Sequence, residues 1–341
     1  MPLSELEINP WLEKKNEFEI LIDARSPHEY AYSHIKNAQN LYALNDKEHH
    51  EIGCIYKENR SLAKVLGAKY ISENLQNIID KVYDSCKVGS VVGIYCAKGG
   101  MRSASIATVL SMIGYRVVRL NGGYKSFRAH VRQVLESKVD TKFITLFGNT
   151  GCFKTKLIKA LSPSINLENI ANHLGSVFGE INGAQPSQKA FEDELFFELN
   201  RLKGKVCFAE GESRKIGSLT LPATLHEALR SGVCVEVKAS LSRRIECIMQ
   251  DYQNVDDKYF YACMSKISPF IKTKAKQEAI EAFERNDIAK VSEILLTKYY
   301  DKVYKKAAKI DISINSDNFD EALLRLNEIR EEVLRGEFPR K

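Results

Sequence analysis

Val91-Val92-Gly93-Ile94-Tyr95-Cys96-Ala97-Lys98-Gly99-Gly100-Met101-Arg102-Ser103 is the stretch from which the fold of the first part of the chain can be read. The run Val91 to Tyr95 is apolar and rich in β-branched residues, the pattern of a buried parallel strand. Cys96 to Arg102 reads as a loop. Ser103 to Ile113 places apolar residues at helical spacing, and Gly114 supplies a C-terminal stop. Val117 to Leu120 predicts a further strand, closed by Asn121-Gly122-Gly123. Strand, loop, helix and strand within about 30 residues form a βαβ unit. Upstream, Glu19 to Asp23 reads as another strand, running into a loop at Ser26-Pro27.

Downstream, a charged connector from Arg128 to Thr141 leads to a second start. Lys142 to Phe147 predicts a strand, followed by a glycine-containing turn and a helix from Lys154. Val206 to Glu210 and Val233 to Val237 are two more strands, and from Leu241 the pattern is helical and rich in Lys, Arg and Glu. The expected class is α/β, with one domain over residues 1–135 and a second over 140–240. A helical C-terminal region, 241–341, is expected to pack on the second domain.

Composition agrees. A chain of 341 residues suits two domains, and 44% hydrophobic residues are enough to give each a core. With 19 Gly, 8 Pro and 28% charged residues it is neither collagen-like nor wholly disordered. No apolar run approaches the roughly 18 residues of a membrane span. The start, MPLSELEINPWLEKKNEFEI, lacks the basic and apolar regions of a signal peptide, so a cytoplasmic protein without a membrane partner is expected. Fifty Lys and Arg against 44 Asp and Glu give a charge of +6, which permits an anionic partner such as RNA. None of the eight cysteines forms a CxxC pair, so no tightly bound metal and no thioredoxin-type motif is expected.

Two constellations carry chemistry. In the first, Cys96 stands where a strand gives way to a loop and a helix N-terminus. Backbone N–H groups around the sulfur lower a thiol pKa and bind an anion. Gly99 and Gly100 allow the curvature, and Lys98 and Arg102 add positive charge. A thiolate there could hold sulfur or selenium as a persulfide or selenenylsulfide. The plain alternative is one more buried cysteine.

In the second, Gly148-Asn149-Thr150-Gly151-Cys152-Phe153-Lys154-Thr155 follows a strand and opens a helix. It fits the phosphate-binding pattern G-x-x-x-x-G-K-[ST] except at Phe153, which stands where the second glycine belongs. Gly148, Thr150, Gly151, Lys154 and Thr155 are the candidate phosphate ligands. Glu210, at a strand end, is placed as an acid that reaches Mg²⁺. A bulky residue at 153 argues against ordinary nucleotide hydrolysis. A strand-turn-helix with no ligand is the plain alternative here.

Asp23-Ala24-Arg25, Glu29-Tyr30 and His34-Ile35-Lys36-Asn37-Ala38, with the Cys96 loop, resemble the rhodanese (sulfurtransferase) superfamily over residues 1–130. The Cys-x5-Arg loop is one residue longer than the usual sulfurtransferase loop and equals that of the Cys-x5-Arg phosphatases. A phosphatase or sulfurtransferase is therefore an alternative, although many such phosphatases have His where Tyr95 stands. Further segments resemble the bacterial tRNA 2-selenouridine synthase family, a rhodanese domain fused to a P-loop domain. They are Ala171-Asn172-His173-Leu174-Gly175-Ser176-Val177-Phe178-Gly179, Gln185-Pro186-Ser187-Gln188-Lys189-Ala190-Phe191-Glu192, and Glu210-Gly211-Glu212-Ser213-Arg214-Lys215-Ile216-Gly217. Arg119 to Arg128 matches as well. Phe153, Leu174 and Lys302 depart from that family's pattern.

The resemblance implies replacement of sulfur by selenium in tRNA that carries 2-thiouridine at the wobble position. Selenophosphate is the implied donor, with an S-geranylated intermediate made from geranyl diphosphate as the second co-substrate. It implies Cys96 as nucleophile or selenium carrier and the P-loop as a diphosphate site. Glu210, Glu212, Arg214 and His173 are implied as contacts to Mg²⁺ or substrate. A tRNA-binding protein with a degenerate P-loop is a further alternative. The Lys- and Tyr-rich stretches 272–276 and 298–306 are candidates for phosphate contact and base stacking, or else ordinary solvated helix faces.

Overall fold

The computed structural model describes residues 3–211, 213–251, 255–303 and 309–339. It divides into two units, Met1–Val134 with Glu192–Phe196, and the remainder.

The first unit is built on a five-stranded sheet. Its strands are Leu3–Leu6 (β1), Ile20–Asp23 (β2), Gln39–Asn40 (β3), Val91–Tyr95 (β4) and Arg116–Leu120 (β5), in the order β1-β5-β4-β2-β3. All pairings are parallel. Parallel strands are covered on both faces, which is why β2 and β4 read as continuous apolar runs. Gly93 sits in β4 because a Cβ there would meet the Phe18 ring at 2.3 Å. The helix after the Cys96 loop spans Met101–Ile113 and ends at Gly114, whose φ of 115° is the left-handed stop the sequence predicts. Ser26 and Glu29 form a capping box at the head of the helix Pro27–Tyr32. Two helices, Asp46–Glu58 and Arg60–Ser85, join β3 to β4. Ile71, Ile78 and Val82 of the longer one enter the core with Ile22, Ile94 and Leu110.

The second unit holds another five-stranded parallel sheet. Its strands are Lys142–Phe147 (β6), Ser164–Ile165 (β7), Val206–Glu210 (β8), Val233–Lys238 (β11) and Ile312–Asn315 (β12), in the order β12-β11-β6-β8-β7. A small antiparallel ribbon pairs Lys215–Ile216 (β9) with Leu219–Thr220 (β10). Residues 241–341 differ from the wholly helical region expected. The chain returns to the sheet as β12, and Ala322, Leu326 and Ile329 of the helix Phe319–Arg335 pack in the same core as Ile144, Leu157 and Phe208. The intervening helices, among them Asp257–Ile267, Thr273–Glu284 and Ile288–Leu295, gather a separate apolar cluster that includes Phe178, Phe260, Ala279 and Leu295.

Each sheet places one loop at the carboxyl end of an interior strand, β4 in the first and β6 in the second. In open parallel sheets that end is where ligands bind.

Candidate active sites

In the first unit Cys96 follows β4 directly and is 2% exposed. The Ser103 hydroxyl donates to its Sγ at 3.2 Å. Four of the loop carbonyls accept hydrogen bonds. Tyr124 N–H donates to the Cys96 oxygen at 2.8 Å and Lys125 N–H to the Ala97 oxygen at 3.0 Å. The Arg119 guanidinium donates to the Gly99 oxygen at 2.7 Å, and Ala104 N–H to the Gly100 oxygen at 3.2 Å. Among the described residues, the amides of residues 98–101 donate to no other backbone group. Carbonyls turned into the fold and unspent amides are what an anion cradle needs. Gly123 permits this packing, because a Cβ there would meet the Cys96 oxygen at 2.2 Å.

Lys98 is exposed at this loop. The Arg102 guanidinium pairs with Glu29 at 2.5 Å, and this partner keeps the Glu29 carboxyl below the ordinary range against the opposing effect of burial. Asp23 and Arg25 form a buried pair at 2.6 Å, and the Arg25 guanidinium lies 3.9 Å from the centre of the Tyr124 ring. They brace the end of β2, where Asp23 pairs in register with Tyr95. Tyr95, where many Cys-x5-Arg phosphatases have His, is fully buried, and its hydroxyl accepts from Ile35 N–H.

In the second unit the loop after β6 lines a cleft of 270 Å³. Gly148 has φ 153°, and a Cβ there would lie 2.3 Å from the Val237 oxygen. At Gly151, φ 84°, a Cβ would lie 2.8 Å from the Arg244 oxygen. Phe153 takes φ 60°, the left-handed conformation. The backbone thus keeps at 153 a conformation that favours glycine while carrying a large side chain. That side chain is 6% exposed. Its ring packs on Phe319, with the Arg243 guanidinium 4.9 Å and the Lys156 ammonium 5.2 Å from its centre.

The Lys154 ammonium folds back onto the Gly148 and Asn149 carbonyls at 2.7 and 3.2 Å. The Thr155 hydroxyl donates to Glu168 at 2.7 Å, and Glu168 N–H donates to the Glu210 carboxylate at 3.1 Å. Register pairs Leu146 with Glu210, which sets the acid beside the start of the loop. Burial raises the Glu168 carboxyl above its ordinary range, and its hydrogen bond to Thr155 opposes that. Arg244 anchors the loop, donating to the Thr150 carbonyl at 2.9 Å while pairing with Asp301 at 2.6 Å.

Of the predicted residues, the structure brings Gly148, Thr150, Gly151, Lys154 and Thr155 to one cleft, with Glu210 hydrogen-bonded beneath it. Lys156, Lys159, Glu168 and Asp251 line the cleft too and were missed. Lys156 and Lys159 carry a helical-repeat signal that could have flagged them, whereas Asp251 is distant in sequence. Arg214 is exposed and does not line the cleft. His173 is packed against Gly179 and Gly217, and its Nδ1 accepts from Gly175 N–H at 3.1 Å; burial lowers its pKa. Glu212 lies outside the described residues, as do 304–306 of the second Lys- and Tyr-rich stretch. Lys272 and Lys274 are exposed. Tyr299 is buried and Tyr300 lines an apolar pocket, so neither is presented for stacking a base.

Fold and loops together define a class: a rhodanese-like domain with a cysteine at the mouth of its loop, followed by a P-loop α/β domain. The family descriptions that match are a rhodanese-like domain over residues 9–130 and a tRNA 2-selenouridine synthase AAA domain over residues 141–282. A tRNA 2-selenouridine synthase of Hydrogenovibrio crunogenus is similar at 30% identity, covering 87% of this chain and 92% of the relative. Those of Sulfurovum sp. and Psychromonas ingrahamii are 36% and 32% identical over 68% of this chain, covering 65% and 64% of their own lengths. The chain belongs to the tRNA 2-selenouridine synthase family. Among the described residues no helix is long and apolar enough to cross a membrane.

Proposed function

We propose that this protein is a tRNA-modifying enzyme that converts wobble 2-thiouridine to 2-selenouridine through an S-geranylated intermediate. One observation carries the reading beyond family membership. A single chain holds an amide-lined loop at a buried cysteine and a lysine-rich phosphate loop, and the latter shares Thr150 and Ile248 with an apolar pocket.

In the second unit the loop amides and Lys154 hold the diphosphate of geranyl diphosphate. The Lys154 ammonium exchanges its two carbonyl partners for phosphate oxygens. The thiouridine sulfur attacks the first carbon of the geranyl group, the carbon–oxygen bond breaks and diphosphate leaves, its charge met by Lys154 and the loop amides. Thr155, Glu168 and Glu210 offer a hydroxyl and two carboxylates, an all-oxygen donor set that suits Mg²⁺. When bound, that ion would neutralise diphosphate charge. Among the described residues there is no cluster of three or more His, Cys, Asp or Glu side chains for a tightly held metal.

In the first unit the cradle at Cys96 holds the phosphoryl end of selenophosphate. Cys96 acts as the nucleophile, with the Ser103 hydroxyl donating to the sulfur. Its sulfur attacks the phosphorus of selenophosphate, the phosphorus–selenium bond breaks and selenide is released in the cradle. Selenide adds to C2 of the S-geranyl nucleoside and geranylthiol leaves, while water hydrolyses the S-phosphocysteine to phosphate and frees the thiol.

Nucleoside mass spectrometry on two variants tests this division of labour. Cys96→Ser is expected to abolish 2-selenouridine and accumulate the geranylated nucleoside. Lys154→Ala is expected to slow geranylation by about 100-fold, the scale of losing one charge-stabilising donor. Selenation that survives Cys96→Ser, or geranylation indifferent to Lys154→Ala, would remove that residue from the mechanism.

A further inference from the structure

We infer that Phe283 closes the far end of the prenyl-chain pocket and sets the length of chain the enzyme accepts. This rests on the reading of geranyl diphosphate as co-substrate and deepens it.

Three cavities of the second unit form a row. The phosphate-loop cleft and the apolar pocket share Thr150 and Ile248 in their linings. The apolar pocket is walled by residues such as Phe178, Val255, Phe260 and Leu295. It shares Val255, Phe283 and Ile288 with a third cleft of 440 Å³ that is bordered by Asp257, Glu284 and Asn286. One end of the apolar pocket is therefore the diphosphate site and the other is Phe283. A ligand with an anionic head and an apolar tail matches this order, its head on the loop and its tail directed at Phe283.

The end wall is rigid. The Phe283 ring lies parallel to Phe260, with centroids 3.8 Å apart and planes 4° from parallel. Phe260 is 1% exposed and fixed among the helices of the apolar cluster. The pocket is small, 50 Å³. In so small a space the bounding side chains, not bulk volume, decide how long a chain can lie there. Beyond Phe283 the lining turns polar and charged, with Asp257, Glu284 and Asn286, so a chain that passed the ring would also lose its apolar surroundings. Truncating Phe283 joins the pocket to the third cleft and makes room for one more isoprene unit.

Calorimetric titration of the full-length protein with geranyl diphosphate, farnesyl diphosphate and inorganic diphosphate tests the assignment. The wild type is expected to prefer the ten-carbon over the fifteen-carbon ligand by about tenfold or more, the scale on which a tight apolar pocket discriminates. Phe283→Ala is expected to shift that ratio toward farnesyl diphosphate by about tenfold, and the milder Phe283→Leu in the same direction by less. Both variants should bind inorganic diphosphate as the wild type does, which shows that the loop is intact and the chain folded. An unchanged geranyl-to-farnesyl ratio in variants that keep diphosphate binding would overturn the role of Phe283. A wild type that binds geranyl diphosphate no better than inorganic diphosphate would instead overturn the prenyl co-substrate itself, and the chain-length role with it.

Discussion

Phe153 shows two opposing demands at a single residue. Its φ of 60° costs a non-glycine residue about 1–3 kcal/mol. Its buried ring, packed on Phe319 beside Arg243 and Lys156, contributes more, since removing a core phenylalanine side chain costs about 3–5 kcal/mol. Packing therefore outweighs backbone strain. Phe153→Gly, which restores the usual P-loop residue, should lower stability by about 2 kcal/mol while leaving diphosphate binding intact. Thermal melting with and without diphosphate measures both, and a rise in melting temperature would mean that the strain outweighs the packing. The sequence shows the departure at 153 but not its outcome. The strain depends on a dihedral angle, and the compensation depends on Phe319, which is far away in the chain. The thiols make a second case. Burial pushes Cys247, which lines the phosphate cleft, up to about 11, and Cys207 up to about 12. Both stay protonated at pH 8, whereas Cys54 is exposed. Alkylation at pH 8 should reach Cys54 first, and Cys247 should gain reactivity only as the pH climbs toward 11; peptide mapping that finds Cys247 modified first would contradict this.

At the level of elements, the parallel strands were legible because strands covered on both faces are dominated by apolar residues, without break in β4 and with polar residues few or at the ends in β6, β8 and β11. The strand β12 was not. Its four residues alternate Ile with polar side chains at a sheet edge, and a Lys-rich stretch precedes it. Yet the sheet needs the helix Phe319–Arg335 that β12 leads into, since Leu326 is fully buried in the core shared with Ile144 and Phe208. Leu326→Ala should therefore destabilise the P-loop unit by about 2–5 kcal/mol, the cost of a core cavity; urea unfolding that shows less than about 1 kcal/mol would mean this helix is only appended. Glu168 was equally hidden. Its part is set by Thr155 and Glu210, which only the fold brings to it. Because burial raises its carboxyl pKa in the folded state, the native protein holds that proton more tightly than the unfolded chain does. Its contribution to stability thus falls as pH rises from the unfolded pKa through the folded one. Glu168→Gln should flatten the loss of stability between acid and neutral pH while weakening any Mg²⁺ dependence of diphosphate binding, and melting curves across that range measure the slope.

For the whole molecule, the proposed function gives one half-reaction to each loop, with an S-geranylated tRNA as the proposed product of the second unit and substrate of the first. That domain pairing was readable from two short motifs, because a cysteine or a phosphate loop at a strand end is a local pattern. The apolar pocket was not readable, since its walls come from segments spread between Thr150 and Tyr300. If geranylated tRNA leaves the enzyme as a free species, mixing the Cys96→Ser and Lys154→Ala proteins should restore 2-selenouridine that neither makes alone. The most direct test is nucleoside mass spectrometry of 2-thiouridine-containing tRNA incubated with the wild-type protein, geranyl diphosphate and selenophosphate. The expected product is 2-selenouridine, preceded by the geranylated nucleoside when selenophosphate is withheld; folded protein with sound reagents that yields neither product would contradict the two-loop mechanism.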